Sequence, residues 1–245
     1  MLTIGSIDTY GWQAAIRGMR NPMNSWDRSD SGWTTDWPED SKKLVEIDSE
    51  EYLGFVIGSN DEKLMLDLCK GGPVHAKFRR MLTITMDITA PLYWWKEFDT
   101  YKVGTVANSC STMHKIHAKE FELDDFSHEH LCGTVLGSLR ETVGLLNFYR
   151  NVFISFDEKS SDPHWLKLFV YDYGLKTKKD IWWQMIQLLP SSYNQKRTVQ
   201  LNYEVAHNIY ISRKNHKLDE WHTLCDALKE LPMSELIMME LDNDN

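Results

Sequence analysis

From Met81 to Ile88 the chain alternates in a strict period of two. Met81, Thr83, Thr85 and Asp87 fall on one side, Leu82, Ile84, Met86 and Ile88 on the other. That period predicts a strand with one buried face. Pro91 follows, and its fixed φ suits the first turn of a helix, so a helix is expected to open there. Residues 1 to 10 read as a strand and Gly11 to Met19 as a short helix. Between Arg20 and Gly32 the composition is that of a long polar loop, rich in Asn, Asp and Ser, with Pro22 among them. Glu62 to Cys69 predicts a helix ended by Gly71-Gly72. Leu131 to Arg150 carries apolar residues near a 3.6-residue spacing and predicts a long helix. Phe153 to Phe156 and Leu166 to Val170 fit strand, helix end or packed loop alike. Asp180 to Leu189 reads as a helix stopped by Pro190, Thr198 as the cap of a helix from Val199 to Arg213, and Leu218 to Leu231 as a last helix before an acidic tail.

The segment Pro91 to Lys115, PLYWWKEFDTYKVGTVANSCSTMHK, interrupts this regularity. It carries more aromatic, hydroxyl, amide and thiol groups than a core helix would bury. A strand, a short helix and then a polar turn from Val103 to Thr112 is an arrangement that can hold a phosphate or a heterocycle. Further along, Leu189-Pro190 precedes Asn202, Asn208 and Arg213. Placed on one helix, the two amides and the guanidinium occupy one broad side and line one cleft.

Both segments resemble the flavin-dependent thymidylate synthases. That family carries, after a strand and a Pro-led helix, the pattern Arg-His-Arg-x-x-Ser-x-Asn-Glu-x-Ser-x-Arg. Laid without gaps from Pro91, the same positions here are Thr100, Tyr101, Lys102, Thr105, Ala107, Asn108, Cys110 and Thr112, of which Lys102 and Thr105 are conservative. A slip of one residue sets Asn108 on the family's Asn, with Ser109 after it and Ser111 on its second Ser. The C-terminal match is Leu189-Pro190, Asn202, Asn208 and Arg213, with Glu204 and Ile186 where the family has arginines. The resemblance implies an α+β fold, helices packed on a mostly antiparallel sheet, in a homotetramer with FAD between subunits. It implies reductive methylation of dUMP with methylene-tetrahydrofolate and NADPH as co-substrates. Arg213 would be catalytic. His75, Lys102, Asn108, Asn202 and Asn208 would touch the cofactor, and Thr100, Thr105, Ser109 and Ser111 the pyrimidine nucleotide. The alternative, to which the loss of arginines at 186 and 204 points, is an altered homologue that binds a flavin or pyrimidine nucleotide without methyl transfer.

Composition narrows the picture. The 245 residues suffice for a single large domain, and no Ser/Gly/Pro-rich linker or repeat divides them. A formal charge of −9 disfavours a nucleic-acid polymer as partner, since phosphate backbones require clustered Lys and Arg. Arg17, Arg20 and Arg28 could add positive charge to a site, and Lys196 with Arg197 would sit just outside the Thr198-capped helix as an anion site. Cys69, Cys110, Cys132 and Cys225 have no metal-type spacing, and neither His114 with His117 nor His128 with His130 has a partner at ligand spacing, so no metal is expected. There is no Gly-x-Ser-x-Gly elbow of a serine hydrolase. Without a signal peptide or spanning apolar run, a cytoplasmic protein with no membrane contact is expected. Trp12, Trp26, Trp33, Trp37, Trp94, Trp95, Trp182 and Trp183 read as core and interface anchors, with Trp94 and Trp95 the candidates for stacking on a ligand. A Trp-rich loop serving a structural or interaction protein is the remaining class.

Overall fold

The computed structural model describes residues 2–156 and 174–240. These form two compact units, one built of residues 89–96 and 109–196, the other of residues 2–88, 97–108 and 197–240.

The larger unit begins with strand β1 (Thr3–Tyr10) and helix α1 (Trp12–Arg20). Gly11 joins them at φ 93°, the left-handed region that glycine enters without a Cβ penalty. On α1, Trp12, Ala15, Ile16 and Met19 are buried, the i, i+3, i+4, i+7 stripe of a helix that covers a core. The Arg20 to Gly32 segment is a loop as expected, stiffened by two short 3-10 turns at Asn21–Met23 and Trp26–Arg28. A small antiparallel sheet follows, with β2 (Gly32–Thr34) and β3 (Leu44–Asp48) flanking β4 (Leu53–Val56). Helix α2 (Ser59–Lys70) ends at Gly71, the glycine stop read from the sequence.

Strand β5 (Thr83–Pro91) carries the predicted alternation: Ile84, Met86, Ile88 and Ala90 are buried and the residues between are half-buried. Pro91 ends this strand, and helix α3 (Leu92–Phe98) starts one residue later than expected. The polar turn that follows contains a short strand, β6 (Val106–Ser109). A four-stranded sheet has the order β1, β5, β7, β6, where β7 is Asn194–Asn202. The larger unit closes with α6 (Tyr203–Arg213), α7 (Asp219–Lys229) and the short α8 (Glu235–Met238), which follow α4 (Gly133–Ser155) and α5 (Lys178–Leu188) of the smaller unit. The expected last helix thus breaks at Lys229, and the tail 241–245 lies outside the described residues.

In the smaller unit, α4 (Gly133–Ser155) packs on α5 (Lys178–Leu188) over a core of Ile116, Phe121, Phe126, Leu139, Leu146 and Met185. Helix α4 runs past Arg150 and takes Phe153 into its last turn, so that ambiguous stretch is helix end; Leu166 to Val170 lies outside the described residues. Helix α5 opens on a capping box in which Thr177 and Asp180 bond reciprocally to backbone N–H groups.

Three expectations fail here. Thr198 does not cap a helix, because residues 194–202 pair as β7 and the helix begins only at Tyr203. Val199 and Leu201 point alternately into the core, each at most 2% exposed, a β pattern that five helical positions could not bury the same way. The cap is Asn202, whose side-chain oxygen accepts from the Val205 N–H at 3.0 Å. Lys196 and Arg197 are therefore strand residues and form no helix-terminal anion site. Asn202, Asn208 and Arg213 do not share one side of a helix either. Asn202 lies at the strand end, and Asn208 and Arg213, five residues apart on α6, are separated by about 140° around its axis.

Candidate functional site

Helix α3 ends at Phe98, and the chain turns through Asp99 to Gly104 before entering β6. Gly104 sits at φ 80°. A Cβ there would lie 3.0 Å from Asn202 Nδ2 and 3.2 Å from a Val205 methyl, so glycine is what lets this loop press on the β7–α6 junction. Within this unit Phe98, Asp99, Tyr101, Lys102, Thr105 and Ala107 enclose a cavity of about 230 Å³. The Thr105 hydroxyl is buried and has no hydrogen-bond partner among the described residues. Burying a hydroxyl unpaired costs about 1–3 kcal/mol. A ligand atom that reaches Thr105 would recover that cost, so the cavity suits a group with a polar edge.

Arg213, at the last turn of α6, lies beside this loop. Its Nε donates to the Tyr101 hydroxyl at 2.9 Å and its Nη1 to Glu97 Oε2 at 2.9 Å. The same carboxylate oxygen accepts from Trp221 Nε1 at 3.0 Å, and His216 Nε2 stands 3.4 Å away. The guanidinium lies over the Trp221 ring at 4.7 Å and near the Tyr101 ring at 5.7 Å, distances at which a cation is drawn to the ring face. Trp221 is itself fully buried and stacks on Phe98 with centroids 6.3 Å apart. Arg213 is paired with Glu97, not with the nearer-in-sequence Glu204 or Asp219. Glu204 instead forms a buried ion pair with Arg79 at 2.8 Å.

Of the residues singled out by sequence, the structure thus gathers Lys102, Thr105, Asn202 and Arg213 around one loop. Thr100 is exposed there and donates its hydroxyl to the Glu97 carbonyl at 2.7 Å, closing the end of α3. Asn108 is exposed on β6 and Asn208 exposed on α6. His75 opens on a different cavity of about 470 Å³, lined mostly by apolar side chains including Met19, Leu68, Phe78 and Met81. Ser109, Ser111 and Cys110 belong to the smaller unit and are exposed; the Ser111 hydroxyl accepts from the His114 N–H at 3.0 Å.

Two further expectations are corrected. Trp94 and Trp95 have no exposed surface, and Trp95 donates to the Gln195 carbonyl at 2.9 Å, so neither can offer a face to a ligand. They are core anchors, as are Trp12 and Trp221, whereas Trp26, Trp33 and Trp37 are exposed. Arg20 is buried and spends its charge on Asp61 at 2.6 Å. Arg17 and Arg28 are exposed. Glu97, Tyr101 and Trp221 were missed by sequence reasoning because their role depends on three elements meeting; only the charge of Glu97 one turn before Tyr101 could have hinted at it.

Among the described residues, no group of His, Cys, Asp and Glu is placed to hold a metal, and no helix is long and apolar enough to cross a membrane.

No family model matches the sequence, and no curated protein does. The fold has clear counterparts among solved structures. One is thymidylate synthase X from Helicobacter pylori with FAD and dUMP, 16% identical, covering 98% of each chain at a TM-score of 0.55. Another is a flavin-dependent thymidylate synthase from Helicobacter pylori complexed with FAD and dUMP, also 16% identical, covering 97% of this chain and 100% of that one at a TM-score of 0.52. The protein therefore has the α+β fold of the flavin-dependent thymidylate synthases along nearly its whole length. At this identity the likeness speaks for the fold alone.

Proposed function

We propose that this protein is a flavin-dependent thymidylate synthase-like enzyme that takes dUMP at the 99–107 loop and methylates it reductively. FAD would be its cofactor and methylene-tetrahydrofolate and NADPH its co-substrates, in a cytoplasmic homotetramer. The observation that carries this reading is the cavity beneath that loop, where a buried, unpaired Thr105 hydroxyl meets Lys102 with Arg213 held beside them. Its volume of about 230 Å³ is below the roughly 300–1,000 Å³ of a typical ligand pocket, which fits a pyrimidine base and not a whole dinucleotide.

The cofactor fits less completely than the pyrimidine. Of the residues implied for the flavin, Lys102 lines this cavity and Asn202 adjoins the same loop, while His75 faces another cavity. When bound, a flavin supplies one-carbon and hydride transfer. The chain's own contribution is binding and electrostatics. Lys102 brings a positive charge for the cofactor, Thr105 hydrogen-bonds a polar edge of the base, and Arg213 stabilises negative charge as it develops on the ring. Flavin chemistry of this kind uses no cysteine nucleophile, so Cys110 is given no catalytic role.

The Arg213–Glu97 ion pair favours a second reading. An arginine already balanced by a carboxylate contributes less to stabilising an anion, which suits a protein that binds flavin or pyrimidine nucleotide without methyl transfer. Incubating the purified protein with FAD, dUMP, methylene-tetrahydrofolate and NADPH separates the two. Formation of dTMP supports the enzyme; a flavin spectrum and dUMP binding without dTMP supports the binder. A colourless protein that binds no pyrimidine nucleotide removes both.

A further inference from the structure

We propose that the larger unit carries a second ligand site, the cavity on which His75 opens, and that it takes an apolar monoanion, a hydrocarbon body with one acidic head. The inference stands apart from the pyrimidine reading, because the two cavities share no lining residue.

Helix α1 brings Met19 to this cavity and α2 brings Leu68, while the segments that follow those helices add Met23, Val74, Phe78 and Met81. The walls are therefore mostly hydrocarbon and thioether. The volume of about 470 Å³ falls within the roughly 300–1,000 Å³ of a typical small-molecule site. Met23, Val74 and Met81 line it while being 53%, 70% and 44% exposed, so the empty cavity leaves apolar surface in water. A ligand that covers this surface gains the free energy of its removal from water. Methionine side chains adapt to the shape they meet, and the three here suit a ligand body of no fixed outline.

The polar side chains of the lining are His75 and Lys77. Neither side chain has a hydrogen bond or an ion pair among the described residues, and no aspartate or glutamate lines the cavity. A cation left unpaired beside apolar walls is matched by one acidic group on an otherwise apolar molecule, because a charge-assisted bond is stronger than a neutral one. A flavin suits this lining poorly. Its ring edge carries several donors and acceptors, and two polar side chains would leave most of them unpaired against apolar walls, at a cost for each. A nucleotide base meets the same obstacle.

The test titrates the wild-type protein with octanoate, decanoate, dodecanoate and decanol by calorimetry, and repeats the decanoate titration on Lys77→Glu, Lys63→Glu and Val74→Trp with thermal unfolding of each. Affinity should rise about tenfold for each two-carbon step, as burial of two further methylenes requires. Decanol should bind about tenfold more weakly than decanoate, and K77E should lose about tenfold for decanoate, each the effect of one charge-assisted bond. Lys63 is exposed on α2 and outside the cavity, so its reversal acts only through a screened field and should change affinity by less than about threefold. V74W narrows the cavity from an exposed position and should weaken decanoate as well. Saturating FAD or dUMP should leave decanoate affinity unchanged. All three variants replace exposed residues and should melt near the wild-type temperature; K77E and V74W read the site independently, so one that unfolds early leaves the other to decide. Equal binding of decanol and decanoate, a flat chain-length series, equal losses in K77E and K63E, or displacement by FAD would each overturn the inference, as would the absence of any carboxylate binding.

Discussion

Arg213 and Trp221 form the pivot of the site: the guanidinium lies 4.7 Å over the indole, and both donate to the same oxygen of Glu97. An arginine so engaged contributes to stability as well as to binding. Arg213→Ala removes a partly desolvated cation–π contact and an ion pair whose side chains are 19% and 36% exposed. The expected loss is about 1–2 kcal/mol of folding stability, larger than an ordinary surface pair gives. Pyrimidine affinity should fall by about 2–4 kcal/mol in the same variant. Arg213→Lys keeps the charge but loses the fork and should recover little of either. Titration and thermal unfolding of both variants check this, and affinity unchanged in both would remove Arg213 from the site.

Gly104→Ala should damage the site through the backbone. The residue sits at φ 80°, and its new methyl would crowd Asn202 and Val205. A cost of about 1–3 kcal/mol is expected from the strained conformation. Because Asn202 caps α6, the far-ultraviolet helical signal and the affinity for dUMP should fall together. A variant with wild-type melting temperature and affinity would show that the close approach is unimportant.

Strong acid should loosen the 20–31 loop. Burial by itself would raise the Asp61 carboxyl, but hydrogen bonds from Ser29, Ser31 and Arg20 outweigh it and hold its pKa below the usual aspartate value of 3.8. A depressed folded pKa means that this stabilisation is complete above the unfolded value and is lost as pH falls through the folded one. The loss therefore lies below about pH 3.8. Asp61→Asn leaves Arg20 buried without a counter-charge and should cost about 3–5 kcal/mol at neutral pH, read by denaturant unfolding. A cost below about 1 kcal/mol would show the pair to be dispensable.

His207 governs a milder pH range. Burial lowers its pKa from 6.5, against the raising effect of its bond to the Ile237 carbonyl, with Arg79 adding to the lowering. For a histidine with a depressed folded pKa, the neutral ring is favoured in the folded state. Stability is then complete above pH 6.5 and declines as pH falls below it. Measured unfolding free energy should decrease from pH 7 to 5.5, and His207→Gln should flatten that slope. An equal slope in both proteins would assign the effect elsewhere.

The thiols should separate into two classes. Burial raises Cys69 and Cys225 to about 11, leaving them protonated and slow to react at neutral pH. Cys110 and Cys132 are exposed and should be labelled first by a thiol reagent. Cys110→Ser should leave any methyl transfer within about tenfold, a difference of about 1.4 kcal/mol; abolished turnover with flavin bound would instead indicate covalent catalysis.

What the sequence determined by itself is the local periodicity. The β5 alternation, the Gly71 stop, the apolar face of α4 and the termination of α5 before Pro190 are all legible because each depends on neighbours within a few residues. The likeness to a known fold was legible from the two segments 91–115 and 189–213. Tertiary structure decided the rest. Residues 194–202 are a strand because a neighbouring strand pairs with them, which their own helix-compatible pattern does not disclose. Trp94 and Trp95 are core because the packing around α3 closes over both. Arg213 is held because Glu97, Tyr101 and Trp221, separated from it by 116, 112 and 8 positions in sequence, meet it in space. Charge and ring contacts act over a few ångströms regardless of chain distance, so no local pattern could announce which carboxylate this arginine would find.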